Sequence, residues 1–233
     1  MSSKAPIFLA VDTAELEVAL AWIAATQDYV SGYKLGLEFF AAFGSDGVSR
    51  IKDLTDADIF LDLKLHDIPN TVAGATRQIA HLKPRFLTVH ASGGRAMIAA
   101  AVAEAPKIEI AAVTILTSLG REDLSEIGFE STPLDAAVKL AKLAKAAGAR
   151  AIVCSPLEIS AVRQAVGPDL SIITPGVRPS SEKVDDQQRT MDPKTAINTG
   201  ATYLVIGRPI TNAWAEGFDA LRDRAAIIAS QLS

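Results

Sequence analysis

The chain has 233 residues, of which 49% are hydrophobic and 21% charged, and its formal net charge is −4. This composition is typical of a globular protein with a sizeable core. An acidic balance without a basic block argues against binding to nucleic acid or to an anionic membrane. Residues 1–12 turn acidic too soon for a signal peptide, and the single cysteine, Cys154, excludes an internal disulfide. We therefore expect a cytoplasmic protein with no membrane span.

Eight short apolar runs alternate with longer amphipathic stretches. The runs are nearly continuous in apolar residues, as parallel strands covered on both faces are. Among the amphipathic stretches, residues 134–147 keep one apolar face and precede Gly148, a favourable helix terminator, and residues 71–82 and 217–232 are similar in character. This alternation predicts an α/β protein, a (β/α)8 TIM barrel, as a single domain over residues 1–233. The competing fold, a doubly wound open sheet, usually has fewer strands and an early glycine-rich phosphate turn. The predicted strands are residues 7–12, 29–36, 58–65, 85–90, 109–117, 149–155, 171–176 and 203–207.

Nearly every predicted strand ends in a polar or charged residue, although the strands themselves are apolar. In a (β/α)8 barrel the carboxyl ends of the strands form the active-site face. Several charges gathered there are hard to ascribe to stability, because buried charges are costly. We therefore predict an active site at this end. The strand-end residues are Asp12, Lys34, Asp62, Lys64, His90, Thr117, Ser155, Arg178 and Arg208.

The run from Phe60 to Asp67, FLDLKLHD, carries the strongest local pattern. Successive strand side chains alternate faces, so Asp62 and Lys64 point together into the barrel while the leucines point towards the helices. One interpretation is a purely structural ion pair. The functional interpretation adds Lys34 from the neighbouring strand and Asp67 from the following loop. The resulting alternating array of lysines and aspartates would keep the Lys64 ammonium group charged and oriented.

One segment near the end of the chain suits a phosphate group, and another is predicted to cover the site. Phosphate often binds after strands 7 and 8 of such barrels. Gly207 permits close approach of the backbone there, and Arg208 offers a planar fork of donors, with an ordinary surface arginine as the alternative. Residues 177–190 form a long polar loop after strand 7, and that position favours a lid over the site rather than a solvated loop.

The other chemically reactive residues do not suggest a metal site. His66, His81 and His90 lack the spacing of metal ligands. We expect His81 on a helix surface and His66 facing away from the charged pair, while His90 either orients a site residue or is structural. Cys154 lies in an apolar run and is expected to be a buried hydrophobe rather than a nucleophile. No motif for a flavin, pyridoxal or other cofactor is present, so we predict a reaction that needs neither metal nor cofactor.

Residues 60–72, FLDLKLHDIPNTV, resemble the D-x-K-x-x-D-I-P-N-T signature of the orotidine 5′-phosphate decarboxylases of the bacterial type. The segments LAVD, YKLGLEFF, LTVHASGG, VTILTS, IITPGVRP, DDQQRT and YLVIGRPI also occur in family order, so the resemblance covers essentially the whole chain. The D-x-K-x-x-D core is shared with a wider superfamily of phosphosugar barrels. The DIPNT extension and the PGVR, QQR and IGRPI set are more specific.

The resemblance implies conversion of orotidine 5′-monophosphate to uridine 5′-monophosphate and carbon dioxide, the last step of de novo UMP biosynthesis, without metal or cofactor. Lys64 would protonate the ring carbon after carbon dioxide leaves, and Asp62 would lie beside the departing carboxylate. Asp67, Ile68 and Thr71 would reach the partner's site in a homodimer. The other implied contacts are Asp12 and Lys34 at the ribose, Thr117 at the pyrimidine, and Arg178, Gln187, Gly207 and Arg208 at the phosphate, with Gln187 on the lid.

Two other functions stay open at this stage. One is a magnesium-dependent enzyme of the same superfamily, such as a keto-gulonate phosphate decarboxylase or a hexulose phosphate synthase, although those lack the DIPNT and QQR elements. The other is a catalytically inactive barrel that binds a nucleotide. The charged array argues against it, because retaining buried charges without a use is costly. Magnesium dependence would identify the first, and tight nucleotide binding without turnover would identify the second.

Overall fold

A closed parallel barrel forms the centre of the computed structural model, which describes residues 4–178 and 191–232. The strands follow one another around the barrel in sequence order, and β8 pairs with β1 to close it. Helices follow the strands along the chain, so the predicted (β/α)8 barrel is confirmed. The strands are β1 (Ala5–Ala10), β2 (Val30–Leu35), β3 (Asp58–Leu65), β4 (Phe86–His90), β5 (Glu109–Val113), β6 (Ala151–Val153), β7 (Ser171–Thr174) and β8 (Tyr203–Ile206).

Two of the predicted helices have termini at residues that suit them. The stretch predicted at 134–147 is helix α6, and Gly148 after it has a φ of +94°, a left-handed conformation that glycine adopts without strain. The stretch predicted at 71–82 begins two residues earlier, because Pro69 occupies the first turn, where its missing N–H costs nothing. Among the described residues, no helix is both long enough and apolar enough to cross a lipid bilayer. The helices are α1 (Leu16–Thr26), α2 (Leu37–Leu54, kinked at Gly44), α3 (Pro69–Ala80), α4 (Gly94–Glu104), α5 (Arg121–Glu126), α6 (Pro133–Ala146), α7 (Ile159–Val166), α8 (Pro193–Thr199), α9 (Arg208–Thr211) and α10 (Phe218–Ser230).

Apolar side chains pack in two layers, one between the strands and the helices and one inside the barrel. Inside, the rings of Phe8, Phe60 and Phe86 pack edge to face with centroids 5.6–5.7 Å apart. Gly32 leaves room for them, since a Cβ atom there would lie 2.4 Å from a carbon of the Phe8 ring. Smaller interior side chains leave space above these rings. They are Ala10, Val113, Val153 and Val205.

Strand β3 has the predicted bounds, but several other strands end earlier than predicted. The clearest case is β5, which ends at Val113, whereas the sequence predicted a strand as far as Thr117. The chain turns beyond that point because the Leu119 N–H donates to the Leu116 carbonyl at 3.0 Å. Thr117 therefore lies in the loop after β5 and not on the strand. Loops as well as strand ends supply the side chains of the site.

Candidate active site

A cavity of about 520 Å³ opens at the carboxyl ends of the strands. Its floor is apolar and consists of the upper interior side chains of the barrel, and its walls are polar and charged. A concave site with an apolar floor and a few convergent polar groups is typical of small-molecule binding. Eight of the residues predicted from the sequence line it. They are Asp12, Lys34, Asp62, Lys64, Thr117, Arg178, Gly207 and Arg208.

Two lysines share one aspartate on the wall of this cavity. The Lys64 Nζ atom lies 2.9 Å from both carboxylate oxygens of Asp62. The Lys34 Nζ atom lies 3.6 Å from Asp62 Oδ2 and donates to Asp12 Oδ1 at 3.1 Å. The side chain of Asp62 is only 12% exposed and that of Lys64 is 28% exposed, so the carboxylate is the more deeply buried of the two groups. The predicted grouping of Lys34, Asp62 and Lys64 is present.

The electrostatics of Asp62 keep its carboxylate ionised. Burial by itself raises the pKa of Asp62. The charges of Lys34 and Lys64, together with hydrogen bonds from Lys64 and Thr88, outweigh burial and hold the pKa below its ordinary value. The sequence predicted an array of lysines and aspartates that keeps the Lys64 ammonium group charged. Such an array requires a fixed negative charge beside that group, and Asp62 supplies it.

The main chain at Lys64 adopts a conformation that the sequence did not predict. Its φ is +47°, in the left-handed region that a side chain bearing Cβ rarely occupies. The pairing of β3 with β4 is irregular at the same place, because Leu61 pairs with Leu87 and the next pair is Leu65 with Val89. Strained residues of this kind cluster at functional sites.

Thr88 on β4 is a site residue that sequence reasoning missed. It is fully buried, its hydroxyl accepts from the Lys64 N–H at 2.8 Å, and that hydroxyl donates to Asp62 Oδ1 at 3.1 Å. A polar residue within the apolar strand FLTVH, two places before His90, was an available signal. Alternation along the strand places Thr88 on the interior face.

The opposite side of the cavity carries the groups predicted to bind phosphate. Arg178, Gly207 and Arg208 all line it. Gly207 connects the end of β8 to Arg208, the first residue of α9. A Cβ atom at Gly207 would lie 3.2 Å from Ala10 Cβ, so a larger residue would crowd the wall. The Arg178 N–H donates to the Met191 carbonyl at 3.1 Å, which joins the two chain segments that flank residues 179–190.

Three of the residues implied by the family resemblance do not line this cavity, and a fourth lies outside the described residues. Asp67, Ile68 and Thr71 are exposed on the rim after β3, and the side chain of Ile68 is 66% exposed. The Asp67 carboxylate accepts from the Ile68 N–H at 2.6 Å. Gln187 lies outside the described residues, as does most of the predicted lid over residues 177–190.

The remaining predicted strand-end residues, His90 and Ser155, do not line the cavity. The rings of His90 and His66 lie 5.3 Å apart, and burial, followed by the charges of His66 and Lys64, lowers the pKa of His90. Ser155 is fully buried, and its N–H donates to Glu158 Oε2 at 3.0 Å. Burial raises the pKa of Cys154, which disfavours the thiolate and agrees with its prediction as a buried hydrophobe.

Among the described residues, no group of three or more histidine, cysteine, aspartate or glutamate side chains is arranged to hold a metal ion. The chemistry that the described residues offer is two carboxylates, two ammonium groups and two guanidinium groups around an apolar floor. Such a set can bind an anionic substrate, stabilise developing negative charge and deliver a proton.

The chain is similar to known proteins along almost its whole length. A family model described as orotidine 5′-phosphate decarboxylase / HUMPS family matches residues 5–217. A protein of Thermobifida fusca named orotidine 5′-phosphate decarboxylase is 51% identical over 209 residues, which cover 90% of each chain. One of Wolbachia pipientis with the same name is 49% identical over 210 residues, covering 89% of this chain and 92% of that protein. The crystal structure of orotidine 5′-phosphate decarboxylase from Lactobacillus acidophilus matches with a TM-score of 0.83 at 32% identity, over 99% of this chain and 100% of that one.

Proposed function

This chain belongs to the orotidine 5′-phosphate decarboxylase / HUMPS family, and on that premise we propose that it converts orotidine 5′-monophosphate to uridine 5′-monophosphate and carbon dioxide. The observation that carries this proposal is the network of Lys34, Asp62 and Lys64 on the wall of the cavity. It supplies a preorganised ammonium group without a metal or cofactor. The enzyme is a carboxy-lyase of pyrimidine biosynthesis.

The reaction breaks the bond between the pyrimidine C6 atom and the substrate carboxylate. The electron pair of that bond stays on C6 as carbon dioxide leaves, and no neighbouring group of the ring accepts it readily. The Lys64 ammonium group stabilises this charge and then transfers a proton from Nζ to C6. Solvent returns a proton to Lys64 after the product leaves. Because Asp62 holds Nζ at 2.9 Å from both of its oxygens, the ammonium group needs little reorganisation during the reaction.

Asp62 lies beside the departing carboxylate in this proposal. Its pKa below the ordinary value supports an ionised side chain at neutral pH. Two carboxylates close together repel each other, and the repulsion is relieved when one leaves as neutral carbon dioxide. Lys34 offsets part of the repulsion in the bound state through its contact with Asp62 Oδ2 at 3.6 Å.

The remaining contacts bind the rest of the nucleotide. We assign Asp12 and Lys34 to the ribose, because they are joined at 3.1 Å next to the charged network. The guanidinium groups of Arg178 and Arg208 suit the phosphate. Binding energy from that distant phosphate can contribute to the rate if it drives closure of a lid. The other assigned contacts are Thr117 at the pyrimidine, and Gly207 and Gln187 at the phosphate.

Purified protein mixed with orotidine 5′-monophosphate in excess EDTA tests this function. The ultraviolet absorbance reports loss of the carboxylate, and we expect rapid conversion to uridine 5′-monophosphate at a rate that EDTA does not change. Activity that appears only when magnesium is restored and a different phosphosugar is supplied would identify the magnesium-dependent branch of the superfamily instead. Tight nucleotide binding by folded protein without any turnover would identify an inactive barrel.

We also propose that the active form is a homodimer in which Asp67, Ile68 and Thr71 complete the partner's site. All residues from His66 to Thr71 are exposed on the rim of the barrel, next to Lys64. Further large apolar side chains are exposed after three other strands on the same face, which supports burial of this face by a second copy. They are Leu37, Leu116 and Leu157.

Mixing two inactive variants tests the shared site. Lys64→Ala removes the proton donor from its own chain, and Asp67→Ala removes the group given to the partner. Mixed dimers contain one intact site, so the mixture should recover about a quarter of wild-type activity once subunits exchange. Sedimentation of the wild type should show a dimer. A monomer, or an exchanged mixture that stays inactive, would contradict the shared site.

The cytoplasm is the proposed location of the enzyme. The single thiol, at Cys154, is buried and needs no oxidising compartment. Fractionation of cells that produce the chain, followed by the decarboxylase assay, should place the activity in the cytoplasmic fraction. Activity in the membrane or secreted fraction would contradict this location.

A further inference from the structure

We propose that Thr88 is a positioning residue for this decarboxylation, because its hydroxyl fixes the main chain of Lys64 and the carboxylate of Asp62 relative to each other. The inference rests on the proposed function. In the proposed mechanism Thr88 touches neither the substrate nor the reacting atoms. It acts through Lys64 and Asp62, which do.

Three hydrogen bonds form a closed ring around Asp62. The Lys64 N–H donates to Thr88 Oγ1 at 2.8 Å, and the Thr88 hydroxyl donates to Asp62 Oδ1 at 3.1 Å. The same Oδ1 atom accepts from Lys64 Nζ at 2.9 Å. The ring therefore joins the main chain of the proton donor, the carboxylate that orients it and its own ammonium group. Thr88 is fully buried, so water does not compete for its hydroxyl.

The pairing of the two strands explains why a side chain is needed here. On β4 one residue, Thr88, separates Leu87 from Val89, whereas on β3 three residues separate their partners, Leu61 and Leu65. Two extra residues on β3 interrupt the ladder of main-chain hydrogen bonds. The Lys64 N–H would then be buried without a strand partner, and the Thr88 hydroxyl accepts from it instead.

The interruption also explains the left-handed conformation of Lys64. A residue with Cβ at a φ of +47° is held there only when its surroundings determine it. Thr88 provides a fixed acceptor for that main chain and a fixed donor to Asp62. Without the hydroxyl, the irregular part of β3 at residues 62–64 loses a restraint on the Lys64 main chain and on the Asp62 carboxylate, and Nζ moves relative to C6. Small displacements of a reacting group reduce rates strongly.

A set of four variants tests this role. Thr88→Val replaces the hydroxyl by a methyl group of similar size, and Thr88→Ser keeps the hydroxyl. Thr76→Val is the matched control, because Thr76 on α3 is also fully buried and, in the described structure, its hydroxyl has no hydrogen-bond partner. Thr88→Ala is compared with Thr88→Ser if Thr88→Val does not fold, since that pair differs by one hydroxyl group.

We expect Thr88→Val to lower kcat for orotidine 5′-monophosphate by about 10- to 100-fold, with KM changed by less than about threefold. Thr88→Ser should restore most of kcat, and Thr76→Val should match the wild type. A folded Thr88→Val protein with wild-type kcat, or one that loses affinity alone, would overturn the positioning role while leaving the proposed function intact. Equal activity of Thr88→Ala and Thr88→Ser would overturn it as well. A wild-type chain without turnover would overturn both proposals.

Discussion

Each end of the barrel holds a cation paired with acidic side chains, two at the amino end and one at the carboxyl end, and the two cations differ in what surrounds them. At the amino end, the Arg85 guanidinium group donates to Asp58 and Glu109 at 2.5 and 3.4 Å. Its central carbon lies 5.0 and 4.9 Å from the ring centroids of Phe86 and Tyr203. Carboxylates thus accept from the N–H groups of Arg85, and aromatic rings lie against the face of its guanidinium group.

At the carboxyl end, Lys64 contacts Asp62 and faces a cavity. Side-chain exposure does not separate the two cations, since it is 32% for Arg85 and 28% for Lys64. Geometry separates them, because the main chain of Lys64 is in the left-handed region, whereas the Arg85 guanidinium group lies over two aromatic rings. A half-buried ion pair is therefore a candidate for catalysis when its main chain is strained and its cation faces the cavity at the carboxyl ends of the strands. An unstrained pair whose cation lies against aromatic rings is expected to contribute to stability.

The largest expected effect is that of Lys64→Ala. We expect kcat to fall by about 10⁴-fold or more, because both the proton donor and the charge that stabilises the carbanion are lost. Binding of uridine 5′-monophosphate and the unfolding transition should persist. Lys83→Ala is the matched control, since Lys83 also has a positive φ, of 49°, but lies at the amino end of the barrel. Steady-state kinetics measure kcat for each variant. Substantial activity in Lys64→Ala would contradict the role of Lys64 as the proton donor.

A smaller effect is expected from Arg208→Ala on the phosphate side of the cavity. Loss of a charged hydrogen bond to phosphate should reduce kcat/KM for orotidine 5′-monophosphate by about 10- to 100-fold. Turnover of orotidine, which has no phosphate, should not change. Arg222→Ala is a suitable control, because Arg222 forms ion pairs with Asp219 and Asp223 on the surface of α10. An equal loss with both substrates would contradict the phosphate assignment.

Arg85→Ala tests the amino end of the barrel. We expect the free energy of unfolding to fall by about 1–2 kcal/mol, through loss of the ring contacts and of a partly exposed ion pair, with kcat unchanged. Urea denaturation and the decarboxylase assay measure the two quantities. Arg77→Ala removes an exposed pair with Glu104 and should cost less. A large loss of kcat in folded Arg85→Ala would mean that the two ends do not divide stability and catalysis.

The smallest expected effect is the contribution of Asp62 to acid stability. Its pKa is lower in the folded chain than in the unfolded one, so its ionisation stabilises the fold above the unfolded pKa, which is about 4. That contribution is lost as the pH falls through the folded pKa. Between pH 6 and pH 3, wild-type protein should therefore lose more unfolding free energy than Asp62→Asn, as measured by urea denaturation. Parallel curves for the two proteins would contradict a lowered pKa.

The barrel and much of the cavity wall were predictable from the sequence, because both depend on local patterns. The barrel follows from the repeat of apolar runs and amphipathic stretches, and the orientation of Asp62 and Lys64 follows from alternation along β3. Asp62 and Lys64 are together on the cavity wall, and Leu61 and Leu63 pack in the outer layer as predicted. The distortion at Lys64 was not predictable in this way. Neither glycine nor proline marks it, and it depends on how β3 pairs with β4.

Thr88 was missed for a related reason. Its hydroxyl contacts a main-chain N–H 24 positions earlier in the chain, and only the pairing register brings the two together. The roles of Asp67, Ile68 and Thr71 depend on a second chain, so neither the sequence pattern nor one folded chain determines them. Gln187, outside the described residues, stays a prediction that rests on the family resemblance.

Decarboxylation of orotidine 5′-monophosphate by the wild-type chain in D2O, with the product analysed by nuclear magnetic resonance, tests the central claim most directly. If Lys64 protonates the carbanion left by direct loss of carbon dioxide, each product molecule carries one deuteron at C6 and none at C5. Deuterium at C5 would indicate addition to the ring and contradict direct decarboxylation. A folded chain that produces no uridine 5′-monophosphate would contradict the proposed function itself.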